Sequence, residues 1–271
     1  MSNQKPIVIK IGTSSLTSRK PGEDINLEIL NSIAALIKDL HEQGQQVVVV
    51  SSGAMGLGIS RLGADFIAQK YTNGDSYQLT SYKQALTAIG QVELMNAYEN
   101  IFRHYGFHAG QVLVTHKGLS DEERKEQIQN TIARLFEMNV VPVINENDTV
   151  ASVEIEFGDN DRLSAMIASA IGAERLFILT DTDGLCDKDP HSNPDAKVIH
   201  EINEITDEIR EIAGDSSTQA GMGGMKSKVM AAEICMTAGL KMTIINMNKI
   251  NEIPAICSGR ENKIGTTFNN L

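Results

Sequence analysis

Residues 220–228 read AGMGGMKSK, a glycine-rich stretch that runs into two lysines at what reads as the mouth of a helix. Gly223 and Gly224 free the backbone to present consecutive N–H groups to an anion. Lys226 and Lys228 fall in the first helical turn, where a cation opposes the helix dipole and costs stability unless an anion is bound. The segment therefore reads as a phosphate cradle, although the chain has no GxxxxGK[ST] loop. A further cation, Lys10, stands between Ile9 and Ile11 in the run PIVIKIG and is followed at once by Gly12. A lysine on a buried strand is expensive unless it is paired or serves a ligand. Carboxylates supply the opposite charge: VINENDTV and EFGDNDRLSA gather Glu146, Asp148, Asp159 and Asp161, interleaved with Asn145, Asn147 and Asn160. Carboxylates this dense call for magnesium, an amine or the lysines. The bland alternatives are a lysine on an edge strand, a solvated acidic loop and a mobile glycine loop.

Gly53, in SSGAMGLG, follows a strand and is placed to open a helix, whose N-terminal N–H groups bind anions without any lysine. It is not the dinucleotide fingerprint, because Arg61 stands where the third glycine belongs. That makes a dinucleotide oxidoreductase a weak reading. The histidines at 41, 104, 108, 116, 191 and 200 show no metal spacing and read as surface residues, and Gly106 interrupts the pair His104 and His108. No Ser/His/Asp or Cys/His arrangement stands out, and no set of protein ligands for a metal can be named.

These residues need elements to position them. Short β-branched runs alternate with helical patterns. Strands are expected at 6–12, QVVVVSSG, AGQVLVT, VVPVINEND, RLFILTDTDGL and LKMTIIN. Helices are expected over 27–43, 84–105, from a Ser120–Glu123 capping box to about Met138, from about Asp161 to Ile171, and over 224–238. The first carries Leu27, Leu30, Ile33, Ala34, Ile37 and Leu40 at helical spacing, with Gly44 as its stop. Pro142 belongs near a strand start or edge, since it cannot donate to a ladder. Residues 63–83 lack periodicity and read as a surface excursion: a lid, a regulatory or contact loop, or a plain irregular loop. The pattern implies an α/β fold, a mainly parallel sheet covered on both faces, in one domain over 1–271. KIGTSS, SSGAMG, INENDT and LTDTDG each follow a strand, which places one active-site rim beyond the C-terminal strand ends.

Composition narrows the classes. With 271 residues and 41% hydrophobic content the chain is globular. A formal charge of −11 repels nucleic acid and anionic membranes, and 4% aromatics with no Trp offers no stacking platform. An anionic substrate would need a local cationic pocket. Three widely spaced cysteines, with no CxxC pair, fit a reducing cytoplasm. The N-terminal stretch does not read as a signal peptide, and no run approaches membrane-helix length.

VIKIGTSSLT, VVVSSGAMGLG, PVINENDTVA…FGDNDRLSA and LTDTDGLCDKDP…AGMGGMKSK together resemble the amino acid kinase superfamily, most closely its glutamate 5-kinase branch, in order and over about residues 5–260. The resemblance implies a three-layer α/β/α sandwich and transfer of the ATP γ-phosphoryl group to the side-chain carboxylate of L-glutamate, giving L-glutamyl 5-phosphate on the way to proline, with Mg2+. It implies that Lys10 and Lys228 flank the phosphoryl group, that Asp161 orients both, that Ser52, Gly53, Asp148 and Asn160 hold glutamate, and that Lys10, Gly12, Thr180, Asp181 and the segment Met222, Gly223, Gly224, Met225, Lys226, Ser227, Lys228 hold ATP. It further implies a homo-oligomer, dimer or tetramer, and feedback inhibition by proline. Many members carry an additional C-terminal PUA domain similar to RNA-modifying modules, so this chain is expected to be a single-domain form. Rival readings are a kinase for aspartate or N-acetylglutamate on the same fold, and a catalytically silent nucleotide or amino-acid sensor.

Overall fold

The computed structural model describes residues 4–17, 25–63, 76–150, 160–190, 192–214, 224–260 and 263–270. Its strands are β1 (Ile7–Ile11), β2 (Val47–Ser51), β3 (His108–Val114), β4 (Val140–Glu146), β5 (Arg175–Thr180), β6 (Glu201–Ile202), β7 (Lys241–Asn246) and β8 (Thr266–Phe268). They form one sheet in the order β3-β4-β2-β1-β5-β7-β8-β6, parallel throughout except that β8 runs antiparallel to β7. The helices are α1 (Thr13–Leu16), α2 (Leu27–Glu42), α3 (Ala54–Leu62), α4 (Ser76–His104), α5 (His116–Ser120), α6 (Glu122–Glu137), α7 (Asn160–Ala170), α8 (Asp207–Gly214), α9 (Met225–Thr237) and α10 (Ile253–Cys257), with a 3-10 turn at Met247–Glu252.

Strand alternation divides the core into two layers. Ile7, Ile9 and Ile11 of β1 join Val47, Val49, Val143 and Phe177 under α2 and α4. Val8 joins Val48, Val50, Ile144, Leu176 and Ile178 under α7 and α9. Lys10 has the parity of Val8, so it is carried on the α7/α9 side of the sheet. Strand β1 is also the point where the chain changes direction across the sheet: β2 lies on one side of it and β5 on the other. Ligand crevices open at such switch points, beyond the C-terminal strand ends.

Local chemistry fixes the element ends. Asn26 caps α2 by accepting from the Ile29 N–H at 3.2 Å, and Gly44 stops it at φ +80°. Its buried stripe runs through Leu30, Ile33, Ala34, Ile37 and Leu40, but Leu27 is 55% exposed and falls outside it. The expected Ser120–Glu123 box is not the cap of α6: Asp121 accepts from the Arg124 N–H at 3.0 Å, while Ser120 closes α5 and donates to His116 O. An Asp one residue on caps as well as a Ser and starts the helix there. Pro142 lies inside β4 opposite Gly110 of the edge strand β3, and the β4–β2 ladder starts only at Val143, so the missing N–H falls before that ladder. The helix expected from 84 begins at Ser76, so the part of the 63–83 excursion from 76 onward is helical; residues 64–75 lie outside the described residues. Short helices α1, α5 and α10 and strands β6 and β8 carry too little periodicity to be read from sequence, whereas α8 carries Ile209, Ile212 and Ala213 at helical spacing in only eight residues.

Helices α3 and α4 touch backbone to backbone. A Cβ on Gly58 would lie 1.9 Å from Leu86 O, and one on Gly90 would lie 1.8 Å from Ala54 O. Only glycine permits that approach, and it ties the start of α3 to the long helix.

Candidate active site

Two lysines and one aspartate meet beneath the ends of β1, α7 and α9. Lys10 Nζ lies 2.5 Å from Asp161 Oδ1, and Lys228 Nζ lies 3.1 Å from Asp161 Oδ2. Lys10 and Lys228 are 6% and 7% exposed and Asp161 1%. Two lysines share this one carboxylate, an arrangement that favours an anionic ligand between them. Burial alone would raise the Asp161 pKa, but the two ammonium groups and the Lys10 and Ser227 hydrogen bonds outweigh it and hold it at about 2. Lys228 is held below the usual lysine range, first by burial, with Asp161 opposing that and Lys10 adding to it. Asp161 stays ionised, and the lysines are aimed by a carboxylate that α7 fixes in its first turn.

Helix α9 starts where the sequence places a helix mouth. Gly224 is the N-cap and its side has no capping side chain, which leaves the first N–H groups of α9 open to an anion. Lys226 is exposed; Lys228, one half-turn on, is the lysine buried against Asp161. Ser227 Oγ reaches Asp161 Oδ2 at 2.7 Å, a contact that sequence did not suggest. Met225 is half-buried. Met222 and Gly223 lie outside the described residues, as does Asp159. Across the sheet, Thr180 ends β5 with Asp181 exposed beside it, and Thr180 Oγ1 donates to Asp181 Oδ1 at 3.3 Å. Gly12 follows β1, and a Cβ there would stand 3.7 Å from Lys10 Nζ.

A second cluster sits at the ends of β2 and β4. Gly53 adopts φ +101° and caps α3, and Ser52 before it is 6% exposed. Asn160, the first residue of α7 and neighbour of Asp161, donates to Ser52 Oγ at 2.9 Å, to Ser51 O at 3.2 Å and to Asn145 Oδ1 at 3.0 Å. Asn145 donates in turn to Gln91 Oε1 of α4 at 2.9 Å. Asp148 stands in the turn after β4, and burial, then the Glu146 charge, push its pKa up to about 7. The structure thus brings Ser52, Gly53 and Asn160 together, and Asn160 links them directly to Asp161.

Sequence did not mark Gln91 or the burial of His116, and it marked Asn145 and Glu146 without their contacts. Gln91 lies on a helix face with no local motif. Asn145 and Glu146 belong to the INEND run that flagged Asp148, but nothing in the sequence shows that Asn145 bridges two elements. His116 is not a surface histidine: it is 8% exposed and its Nδ1 lies 3.1 Å from Glu146 Oε1, whereas His104 and His108 are exposed as expected. The only signal was its position just after the third strand.

The arrangement suits phosphoryl transfer between two anions, and the comparisons agree. The profile of the amino acid kinase family matches residues 5–246. Glutamate 5-kinase of Caldanaerobacter subterraneus subsp. tengcongensis is 44% identical over 262 residues, 97% of this chain and 67% of that protein. Glutamate 5-kinase of Lactococcus lactis subsp. lactis is 42% identical over 268 residues, 97% of this chain and 94% of that protein. The fold is shared with carbamate kinase from Giardia lamblia bound to AMP-PNP, at a TM-score of 0.67 and 19% identity over 100% of both chains. It is shared too with the T. acidophilum isopentenyl phosphate kinase product complex, at a TM-score of 0.65 and 18% identity over 97% of this chain and 100% of that one. The chain belongs to the amino acid kinase family and, within it, to the glutamate 5-kinases.

Proposed function

We propose that the protein transfers the γ-phosphoryl group of ATP to the side-chain carboxylate of L-glutamate, giving L-glutamyl 5-phosphate and ADP, the first step of proline biosynthesis. The observation that carries this reading is the buried Lys10–Asp161–Lys228 array, two lysines on one carboxylate, with Lys228 carried in the first turns of α9.

The chemistry follows from those charges. A carboxylate oxygen of glutamate attacks the γ-phosphorus while the bond to the β,γ-bridging oxygen breaks and its electrons leave with ADP. The nucleophile is already an anion near neutral pH, so no general base is required. The barrier lies in bringing two anions together and in stabilising charge on the equatorial oxygens. Lys10 and Lys228 supply that stabilisation from the two sides of Asp161, which keeps both in place. Gly12, Thr180, Asp181 and residues 222–228 hold ATP, its phosphates on the N–H groups that open α9. Ser52, Gly53, Asp148 and Asn160 hold glutamate, with Asp148 on the ammonium.

Magnesium fits this site as a passenger of the nucleotide. Among the described residues no group of three His, Cys, Asp or Glu side chains could hold a metal, and both Asp161 oxygens face lysines. Magnesium, when bound with the nucleotide, would supply further neutralisation of the phosphate charge. The same reading extends to a single kinase domain that works as a homo-oligomer in the cytoplasm under feedback by proline. No helix among the described residues is long and apolar enough to cross a membrane. The test is an acyl-phosphate assay trapped as hydroxamate with ATP and L-glutamate, L-aspartate or N-acetyl-L-glutamate. Turnover with L-glutamate is expected; turnover confined to either of the others rejects the assignment.

A further inference from the structure

One backbone hydrogen bond fixes the direction of the whole amide chain in the second cluster. The Glu146 N–H donates to Asn145 Oδ1 at 2.9 Å, so that atom is the acceptor, and it also takes Asn160 Nδ2 at 3.0 Å. Asn145 Nδ2 is then the end that meets Gln91, which must answer with Oε1. The Gln91 amide nitrogen is left over. It is buried without a hydrogen-bond partner, on a residue 7% exposed. Leaving such donors unmet costs roughly 1–3 kcal/mol. Thr87 Oγ1, one turn earlier on α4, is buried and unpartnered as well.

Gln91 and Thr87 line a cavity of about 390 Å³ between α4 and the ends of β3 and β4. Glu146 and Asp148 line the same cavity from the strand side, and Glu146 Oε2 and Asp148 Oδ1 are buried without hydrogen-bond partners. The other Glu146 oxygen is engaged by His116 Nδ1 at 3.1 Å. The cavity therefore holds surplus donors on its helix side and surplus acceptors on its strand side. An apolar guest satisfies neither set and a simple cation satisfies one. The guest that satisfies both is the zwitterionic head of a free α-amino acid.

We infer that Gln91 and Glu146 determine acceptor specificity: the Gln91 amide N–H2, helped by the Thr87 hydroxyl, binds the α-carboxylate, and Glu146 joins Asp148 on the α-ammonium. This rests on glutamate being the acceptor, and it adds to the expected glutamate ligands Gln91, which no local motif marks, and Glu146 of the INEND run. The elevated pKa of Asp148 agrees with a site that lacks its cation. Because the amide chain continues through Asn160 to Ser52, beside Asp161, a correctly seated head group is held in register with the phosphoryl site.

The test is a cycle of variants against truncated substrates. Gln91→Glu keeps an oxygen for Asn145 but replaces the N–H donors with a carboxylate that repels an α-carboxylate, and Gln91→Met removes the donors without adding charge; Glu146→Gln removes the charge. 4-Aminobutanoate lacks the α-carboxylate and glutarate lacks the α-ammonium. In the hydroxamate assay Gln91→Glu is expected to lower kcat/KM for L-glutamate roughly 100-fold while changing that for 4-aminobutanoate less than about threefold. Glu146→Gln is expected to do the same for L-glutamate against glutarate, by roughly 30-fold. Equal losses on the full and the truncated substrate would show a purely structural role and overturn the inference. If Gln91→Glu fails to melt cooperatively, Gln91→Met at similar volume takes its place under the same criterion. Calorimetric titration of wild type and Gln91→Glu with L-glutamate separates the two levels. Binding lost in the variant, with no acyl phosphate formed by wild type, removes the kinase reading and leaves only head-group binding at this cavity; turnover with equal binding in both proteins keeps the kinase reading and overturns the inference.

Discussion

Replacing Asp161 by Asn removes one negative charge from between two buried ammonium groups and keeps the side-chain shape. The fall of its pKa from 3.8 to about 2 in the folded protein corresponds to roughly 2 kcal/mol of net favourable interaction, after the cost of burial has been met. Because the folded pKa is depressed, this contribution is present above about pH 4 and is lost as the pH falls toward about 2. The variant also takes away the carboxylate that both Lys10 and Lys228 pair with, and breaking a buried pair costs about 3–5 kcal/mol. Asp161→Asn should therefore melt well below wild type at neutral pH, and the gap should close in acid. Saturating ATP should narrow the gap further, because the phosphate stands in for the missing anion. Loss of one such electrostatic group lowers kcat by about 10²- to 10³-fold. Thermal melts from pH 3 to 8 with and without ATP, together with the hydroxamate assay, check each step. A stable variant whose kcat stays within about threefold of wild type would refute the role given to the aspartate.

Three more outcomes are expected. Asp148 titrates near 7 in the free protein and should ionise when an ammonium arrives, so L-glutamate binding should release protons near pH 7 and tighten as the pH rises through 7; calorimetry in buffers of different ionisation heat measures this, and Asp148→Asn should abolish it. Gly58→Ala would place a Cβ 1.9 Å from Leu86 O, so α3 must move off α4, at a cost of about 1–3 kcal/mol or more in denaturant unfolding, with a raised KM for glutamate because Gly53 opens the same helix. Ser227→Ala removes a 2.7 Å hydrogen bond to Asp161 but no charge, so stability should fall by about 1 kcal/mol and kcat by less than about tenfold.

What could be read from sequence follows the range of the signal. The long strands were legible because β1, β2 and β5 are apolar on both faces, and Lys10 was conspicuous for interrupting one of them. Lys228 and Asp161 were legible because glycines, lysines and carboxylates at strand ends have few structural uses. Gln91 and Asn145 were not, because their role comes from a contact 54 residues apart in sequence. His116 was misread for the same reason, since only the packing of Glu146 against it accounts for a buried imidazole. The start of α4 at Ser76 was hidden because Ser76 to Lys83 is polar and carries no apolar stripe. Ser120 drew the capping assignment away from Asp121 because both residue types cap equally well, and only geometry decides between them.

The central claim, that two lysines held by one aspartate neutralise the phosphoryl group in flight, is tested most directly by a crystal structure with ADP, magnesium, an aluminium fluoride mimic of the phosphoryl group and L-glutamate. The account predicts Nζ of Lys10 and of Lys228 both within about 3 Å of the mimic's equatorial ligands, with Asp161 still between them. A mimic lying more than about 6 Å from either ammonium would contradict it.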